Sequence, residues 1–128
     1  MRVLVDTHIL IWAALDAPQL SQKARKIILD PDNSLWVSPI SYVEIAIKRS
    51  MGKSGLGCSV RDIADYVHDS GIGAVNLSPV HAAMLETLPW FHRDPFDRVL
   101  IAQALSEPLR LMTHDAVMAQ YSNTVIEV

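Results

Sequence analysis

The 128-residue sequence contains one cysteine, Cys58, which excludes an internal disulfide and any zinc site built on cysteine. Its setting, Gly55-Leu56-Gly57-Cys58-Ser59, reads as a loop with an incidental thiol, since a nucleophilic cysteine needs a base beside it. No apolar run approaches the ~18–20 residues that cross a bilayer. Val3-Leu4-Val5 meets Asp6 too soon to form the core of a signal peptide, so the expectation is a cytoplasmic protein with no membrane association. Positive charge is also scarce. A formal charge of −3 argues against a passive nucleic-acid coat held by bulk electrostatics. Setting four carboxylates aside as metal ligands turns −3 into +1, which suits an enzyme that grips a few phosphates and cuts. Repeats, low-complexity tracts and linkers are lacking, and residues 1–128 read as one domain.

What is present is ordinary for a globular core: half the residues are hydrophobic and a fifth are charged. Short apolar runs alternate with stretches of helical period. Strands are expected at Arg2–Val5, Leu35–Val37, Ala74–Leu77, Leu109–Met112 and Thr124–Val128. Helices are expected over Ile9–Leu15, over Gln22–Leu29 behind Ser21, and from Ser41 onward. Further helices follow over Val60–Asp69, over Val80–Thr87 behind Ser78-Pro79, over Phe96–Leu105 behind Asp94-Pro95, and over Asp115–Tyr121. Lys48–Ser59 reads as a loop or a frayed helix end. Such alternation implies an α/β fold, a mostly parallel twisted sheet with helices on both faces. Ligands of these folds bind beyond the carboxyl ends of the strands.

Four acids occupy those places: Asp6, Glu44, Asp97 and Asp115. Each has a plain alternative as a helix cap. Asp6 and Asp115 can cap the helices that follow them, Ser41-Tyr42-Val43-Glu44 fits a capping box, and Asp94-Pro95-Phe96-Asp97 fits a helix start with Asp94 as the cap. Two features favour a joint role. The acids are embedded in apolar sequence, as in Val43-Glu44-Ile45 and Phe96-Asp97-Arg98-Val99-Leu100-Ile101, whereas capping carboxylates usually face solvent. Several carboxylates in one crevice also repel one another unless a cation neutralises them. Oxygen ligands without histidine or cysteine suit Mg²⁺ or Mn²⁺.

Val3-Leu4-Val5-Asp6-Thr7-His8 with Leu10 and Trp12, Ser38-Pro39-Ile40-Ser41-Tyr42-Val43-Glu44-Ile45, the run from His92 to Ala104, and Leu111-Met112-Thr113-His114-Asp115 resemble the four motifs of PIN domains. The likeness spans the chain, and its size is that of the VapC-type toxins of bacterial toxin–antitoxin pairs. The resemblance implies a single PIN-like domain that hydrolyses RNA with Mg²⁺ or Mn²⁺ and metal-activated water, neutralised by an antitoxin protein and acting as a homodimer. It assigns Asp6, Glu44, Asp97 and Asp115 to catalysis and metal binding, Asp6 and Asp97 foremost. Thr7 and Thr113 match hydroxyl positions beside the site, and Asp94 is an extra acid one turn before Asp97.

Lys48, Arg49 and Lys53 follow Glu44, and Arg93 and Arg98 flank Asp97; all are candidates for contact with RNA phosphates, with a solvated cluster or ion pairing as the alternative. Trp90-Phe91 is expected in the core, a base-stacking role being the other option. Gly52-Lys53-Ser54 is not a P-loop, because Ile47 stands where the first glycine is required. The five histidines lack zinc-ligand spacing. Two other classes stay open: phosphoryl transfer through an aspartyl-phosphate on Asp6, and a non-catalytic binding module whose acids are only caps.

Overall fold

In the computed structural model, which describes residues 1–52 and 56–128, β1 (Arg2–Val5) is followed by α1 (Thr7–Ala14), α2 (Gln22–Leu29), β2 (Ser34–Val37), α3 (Pro39–Ser50) and α4 (Val60–Asp69). The chain continues through β3 (Gly73–Ala74), α5 (Pro79–Thr87), α6 (Pro95–Ser106), β4 (Arg110–Thr113), α7 (Ala116–Ala119) and β5 (Ile126–Glu127). The strands form one parallel sheet in the order β3-β2-β1-β4-β5. Among the described residues no helix is long and apolar enough to cross a membrane.

β1 is central because Val3, Leu4 and Val5 are all apolar and must be covered from both sides. Side chains alternate across a strand, and the two faces divide accordingly. Val3, Val5 and Met112 join Ile9, Leu10, Ile45 and Ile63 in one buried cluster, while Leu4 and Leu111 join Leu100, Ile101 and Met118 in the other. From β1 the chain moves outward to β2 and β3, then returns to build β4 and β5 on the opposite side. The order reverses between β1 and β4, and the crevice at such a switch point is where α/β sheets hold their ligands. Asp6 is the first residue beyond β1, and its N–H still bonds the Met112 carbonyl of β4 at 3.0 Å.

Three sequence expectations need correction. α3 begins at Pro39, with Ser38 accepting the Ile40 N–H, so the capping box expected at Ser41–Glu44 does not exist. Proline's fixed φ starts the helix a turn earlier, which carries Ser41, Glu44 and Ile45 inside it, all buried. The outer strands β3 and β5 are two residues each, shorter than expected, as suits sheet edges that must not recruit other chains. Trp90 and Phe91 are not in the core: they are 74% and 52% exposed.

Gly73 is required by close approach. A Cβ there would lie 2.7 Å from the Trp36 ring on the neighbouring strand. Gly73→Ala is expected to lower stability by about 1–3 kcal/mol, read as an earlier urea midpoint; an unchanged midpoint would show that Trp36 moves aside freely.

Candidate active site

The end of β1 delivers Asp6 to the switch point, and the start of α1 makes it that helix's N-cap. One oxygen, Oδ1, accepts the His8 N–H at 3.2 Å. The other, Oδ2, accepts the Thr113 hydroxyl at 2.6 Å. Thr113 ends the adjacent strand β4, and its oxygen in turn accepts the Asp115 N–H at 3.1 Å. One hydroxyl therefore fixes two of the expected acids relative to each other. Desolvation raises the Asp6 pKa in spite of those hydrogen bonds, and the neighbouring Glu44 charge adds to the rise.

Glu44 reaches the same region from α3. It is 1% exposed; Oε2 takes the Lys48 ammonium one turn on, and Oε1 is buried with no hydrogen-bond partner among the described residues. Asp97 comes from the first turn of α6. That helix is opened by Asp94, whose Oδ1 accepts the N–H groups of Phe96 and Asp97 at 2.9 and 3.2 Å, so Asp94 is a cap. Burial, followed by the charges of Asp6, Asp94 and Glu44, pushes the Asp97 carboxyl up to about 7. Asp115 caps α7 through Oδ1, which accepts the Val117 N–H at 2.8 Å. Its partial burial is outweighed by hydrogen bonds from His92 and from the helix, and its pKa lies below the usual value.

The cap reading and the site reading are thus compatible. Asp6 and Asp115 each spend one oxygen on a helix and turn the other to a neighbouring side chain, while Glu44 and Asp97 make no capping bond among the described residues.

His92 was given no role by its spacing, yet it joins the acids. Its Nε2 lies 2.8 Å from Asp115 Oδ2 and 3.1 Å from Asp97 Oδ2. The Asp94 N–H donates to its Nδ1 at 3.1 Å, so a neutral ring carries its hydrogen on Nε2 and donates it to Asp115, with the Asp97 carboxylate alongside. His92 is a donor here, although it forms a ligand-spaced cluster with Asp97 and Asp115. The signal in the sequence was its position two residues before the Asp94 cap.

The expected RNA-contacting residues separate. Lys48 stays with the acids: burial works against its ammonium, but Glu44, Asp94 and Asp97 outweigh it and hold its pKa above the usual value. Arg49 is tied to the Cys58 carbonyl at 2.6 Å. Arg93 is exposed on the loop before α6. Arg98 departs from the expectation. It is 4% exposed, donates to the carbonyls of Leu85, Leu88, Pro89 and His92, and lies 3.8 Å beneath the Trp90 ring. Lys53 lies outside the described residues. Thr7 is buried and paired with Ser41 at 2.8 Å, joining α1 to α3 rather than touching an acid. Cys58 is buried, which raises its thiol pKa and suits an inert side chain.

A cavity of about 360 Å³ opens over Asp6, Asp97 and Asp115, with His8, Trp12, His114 and Ala116 around it. The donors at its floor are the hard oxygens of Asp6, Asp97 and Asp115. Glu44 lies outside that lining but near enough for its charge to act on Asp6 and Asp97, so that the carboxylates resist joint ionisation. Such a set fits a divalent cation of the Mg²⁺ or Mn²⁺ type.

A profile of the PIN domain matches residues 3–123. Ribonuclease VapC22 of Mycobacterium tuberculosis is 32% identical over 118 residues, which are 88% of this chain and 86% of that protein. Among solved structures, VapBC2 from Rickettsia felis, bound to a DNA fragment from their promoter, superposes with a TM-score of 0.71 at 16% identity, covering 99% of this chain and 98% of that one. VapBC-1 from nontypeable Haemophilus influenzae gives 0.66 at 22% identity, covering 100% and 97%. At these identities the solved structures bear on the fold alone.

The raised Asp97 pKa has a thermodynamic consequence. The unfolded chain loses this proton near pH 4 and the folded one near 7, so the metal-free fold loses stability as pH rises across that window. The Tm in EDTA is expected to fall from pH 5 to pH 8, and Asp97→Asn should remove much of that fall, gaining a few kcal/mol at pH 8. Saturating Mn²⁺ should reverse the trend in the native protein, because the cation binds the ionised carboxyl. Parallel curves for native and Asp97→Asn proteins in EDTA would contradict the assignment.

Proposed function

This chain belongs to the PIN-domain family, and from that membership we propose that it is a divalent-metal-dependent endoribonuclease, the toxin of a VapBC-type toxin–antitoxin pair. The observation that carries the reading is the burial of Asp6, Glu44 and Asp97 within range of one another's charge at the switch point of a parallel sheet. A structural cap has no need of such company. The name of the 32%-identical relative supports RNA as substrate. An antitoxin protein as partner and a homodimeric assembly are part of the same reading.

Asp6, Glu44 and Asp97 would hold the cation, with Asp115, whose carboxylate lies within 4.8 Å of that of Asp97, beside them. When bound, Mg²⁺ or Mn²⁺ supplies Lewis acidity to the phosphoryl group and to the attacking water. The chain's own groups prepare that chemistry. Thr113 keeps the Asp6 carboxylate in one orientation, and the Nε2–H of His92 fixes Asp115 with the ring set against Asp97. Asp97, its pKa pushed up to about 7, is only partly ionised near neutral pH, and an opposing charge would complete its ionisation. Lys48, held at Glu44 at the edge of the crevice, provides a positive charge for a phosphate of the RNA. The phosphoaspartate alternative is weaker, because both oxygens of buried Asp6 already accept hydrogen bonds.

Purified protein should cleave single-stranded RNA in Mg²⁺ or Mn²⁺ and cease in EDTA. Asp6→Asn and Asp97→Asn should each lose more than about 100-fold in rate, while Thr113→Val, which frees the Asp6 carboxylate, should weaken metal affinity by about 10- to 100-fold. Undiminished cleavage by Asp97→Asn, or cleavage that persists in EDTA, would exclude the mechanism.

A further inference from the structure

The crevice has a wall that the metal chemistry does not use. Beside its acids the crevice is lined by His8, Trp12 and His114. His8 and Trp12 are one turn apart on α1 and share a face, with ring centroids 6.0 Å apart and tilted by 50°. His114, between β4 and α7, meets Trp12 edge-on at 5.0 Å and 70°. The wall is thus built by the two segments that leave β1 and β4, the same segments that bring Asp6 and Asp115. Trp12 leans on the core cluster with part of its surface and lines the cavity with the rest. The indole thus contacts two imidazoles and shares its cavity with three carboxylates, surroundings that a side chain serving only the core does not need.

We propose that His8, Trp12 and His114 form a base-stacking subsite for single-stranded RNA, which receives the base next to the scissile phosphate. The inference rests on the nuclease reading of the neighbouring acids. A carboxylate floor repels phosphate oxygens, so the part of a nucleotide suited to this cavity away from the cation is its uncharged base. Unpaired bases are recognised by stacking on aromatic rings, a contact that tolerates any base because each has a π face. The two imidazoles add hydrogen-bonding atoms at the rim, where they can read a base edge. The cavity of about 360 Å³ leaves room for a base on the indole with its phosphate over the acids. The wall and the floor then divide one nucleotide between them by polarity.

The test uses the full chain and a fluorescein-labelled single-stranded RNA, together with versions lacking one base at successive positions. Binding is measured by anisotropy with Ca²⁺ in place of Mg²⁺ or Mn²⁺, so that it is read apart from cleavage. In the native protein the loss of one particular base should weaken binding by about 10-fold. Trp12→Leu should bind the intact RNA about 10-fold more weakly and show little further loss when that base is absent. Trp12→Phe, which keeps an aromatic face and guards against a folding defect in the leucine variant, should retain most of the base dependence. A base penalty identical in native and Trp12→Leu proteins, or absent at every position, would overturn the subsite. Cleavage in Mg²⁺ by the native protein separates the two readings: cleavage without base dependence leaves the nuclease and removes the subsite, whereas base-dependent binding with no cleavage of any RNA does the opposite.

Discussion

Carboxylates removed from water and set beside one another repel strongly, and the surroundings of the crevice are arranged around that repulsion. Asp6, Glu44 and Asp97 each feel another's charge. Part of the strain is relieved by fixed dipoles, since Asp6 and Asp97 sit at the N-terminal ends of α1 and α6. Part is relieved by donors: the Thr113 hydroxyl, the Nε2–H of His92 and the Lys48 ammonium each face an acid. What is left over appears as the raised pKa of Asp97 and the bare oxygen of Glu44. A divalent cation is the complement that such a set of oxygens fits.

The fold was legible in the sequence wherever a local signal and the tertiary demand agreed. β1, α2 and α4 fall on the residues that periodicity selects, α2 behind the expected Ser21 cap; the Ser59 cap of α4 is seen only in the structure. The start of α3 was misplaced because Ser38 and Ser41 are both good caps, and only packing decides that Ser41 goes inward to meet Thr7. The outermost strands were overextended for a related reason. β-branched residues such as Val75 and Val125 have strand propensity, but the ladder stops where the sheet has no further neighbour.

For the site, the sequence offered positions but not partners. That four acids follow strand ends is visible in one dimension; that His92 spans two of them depends on a loop returning from α5 and on the N-cap of α6. Arg98 was placed near RNA by its adjacency to Asp97, yet consecutive helical residues point in different directions, and Asp97 faces the crevice while Arg98 turns back under the preceding loop. Trp90 misled in the opposite sense. Its hydrophobicity suggested the interior, whereas the structure lays it over the Arg98 guanidinium at the surface.

That guanidinium collects carbonyls from Leu85, Leu88, Pro89 and His92, so the whole connection between α5 and α6 is wound about a single side chain. The anchor and Asp97 are consecutive residues of one helix, and the loop they govern carries His92 back to that acid. The connection therefore has a fixed length. An inserted or deleted residue between Leu88 and Asp94 would put carbonyls out of register with the anchor and lift His92 from the crevice, although the change lay wholly outside the sheet and the acids. Divergence among relatives should be recorded here as substitution at constant spacing.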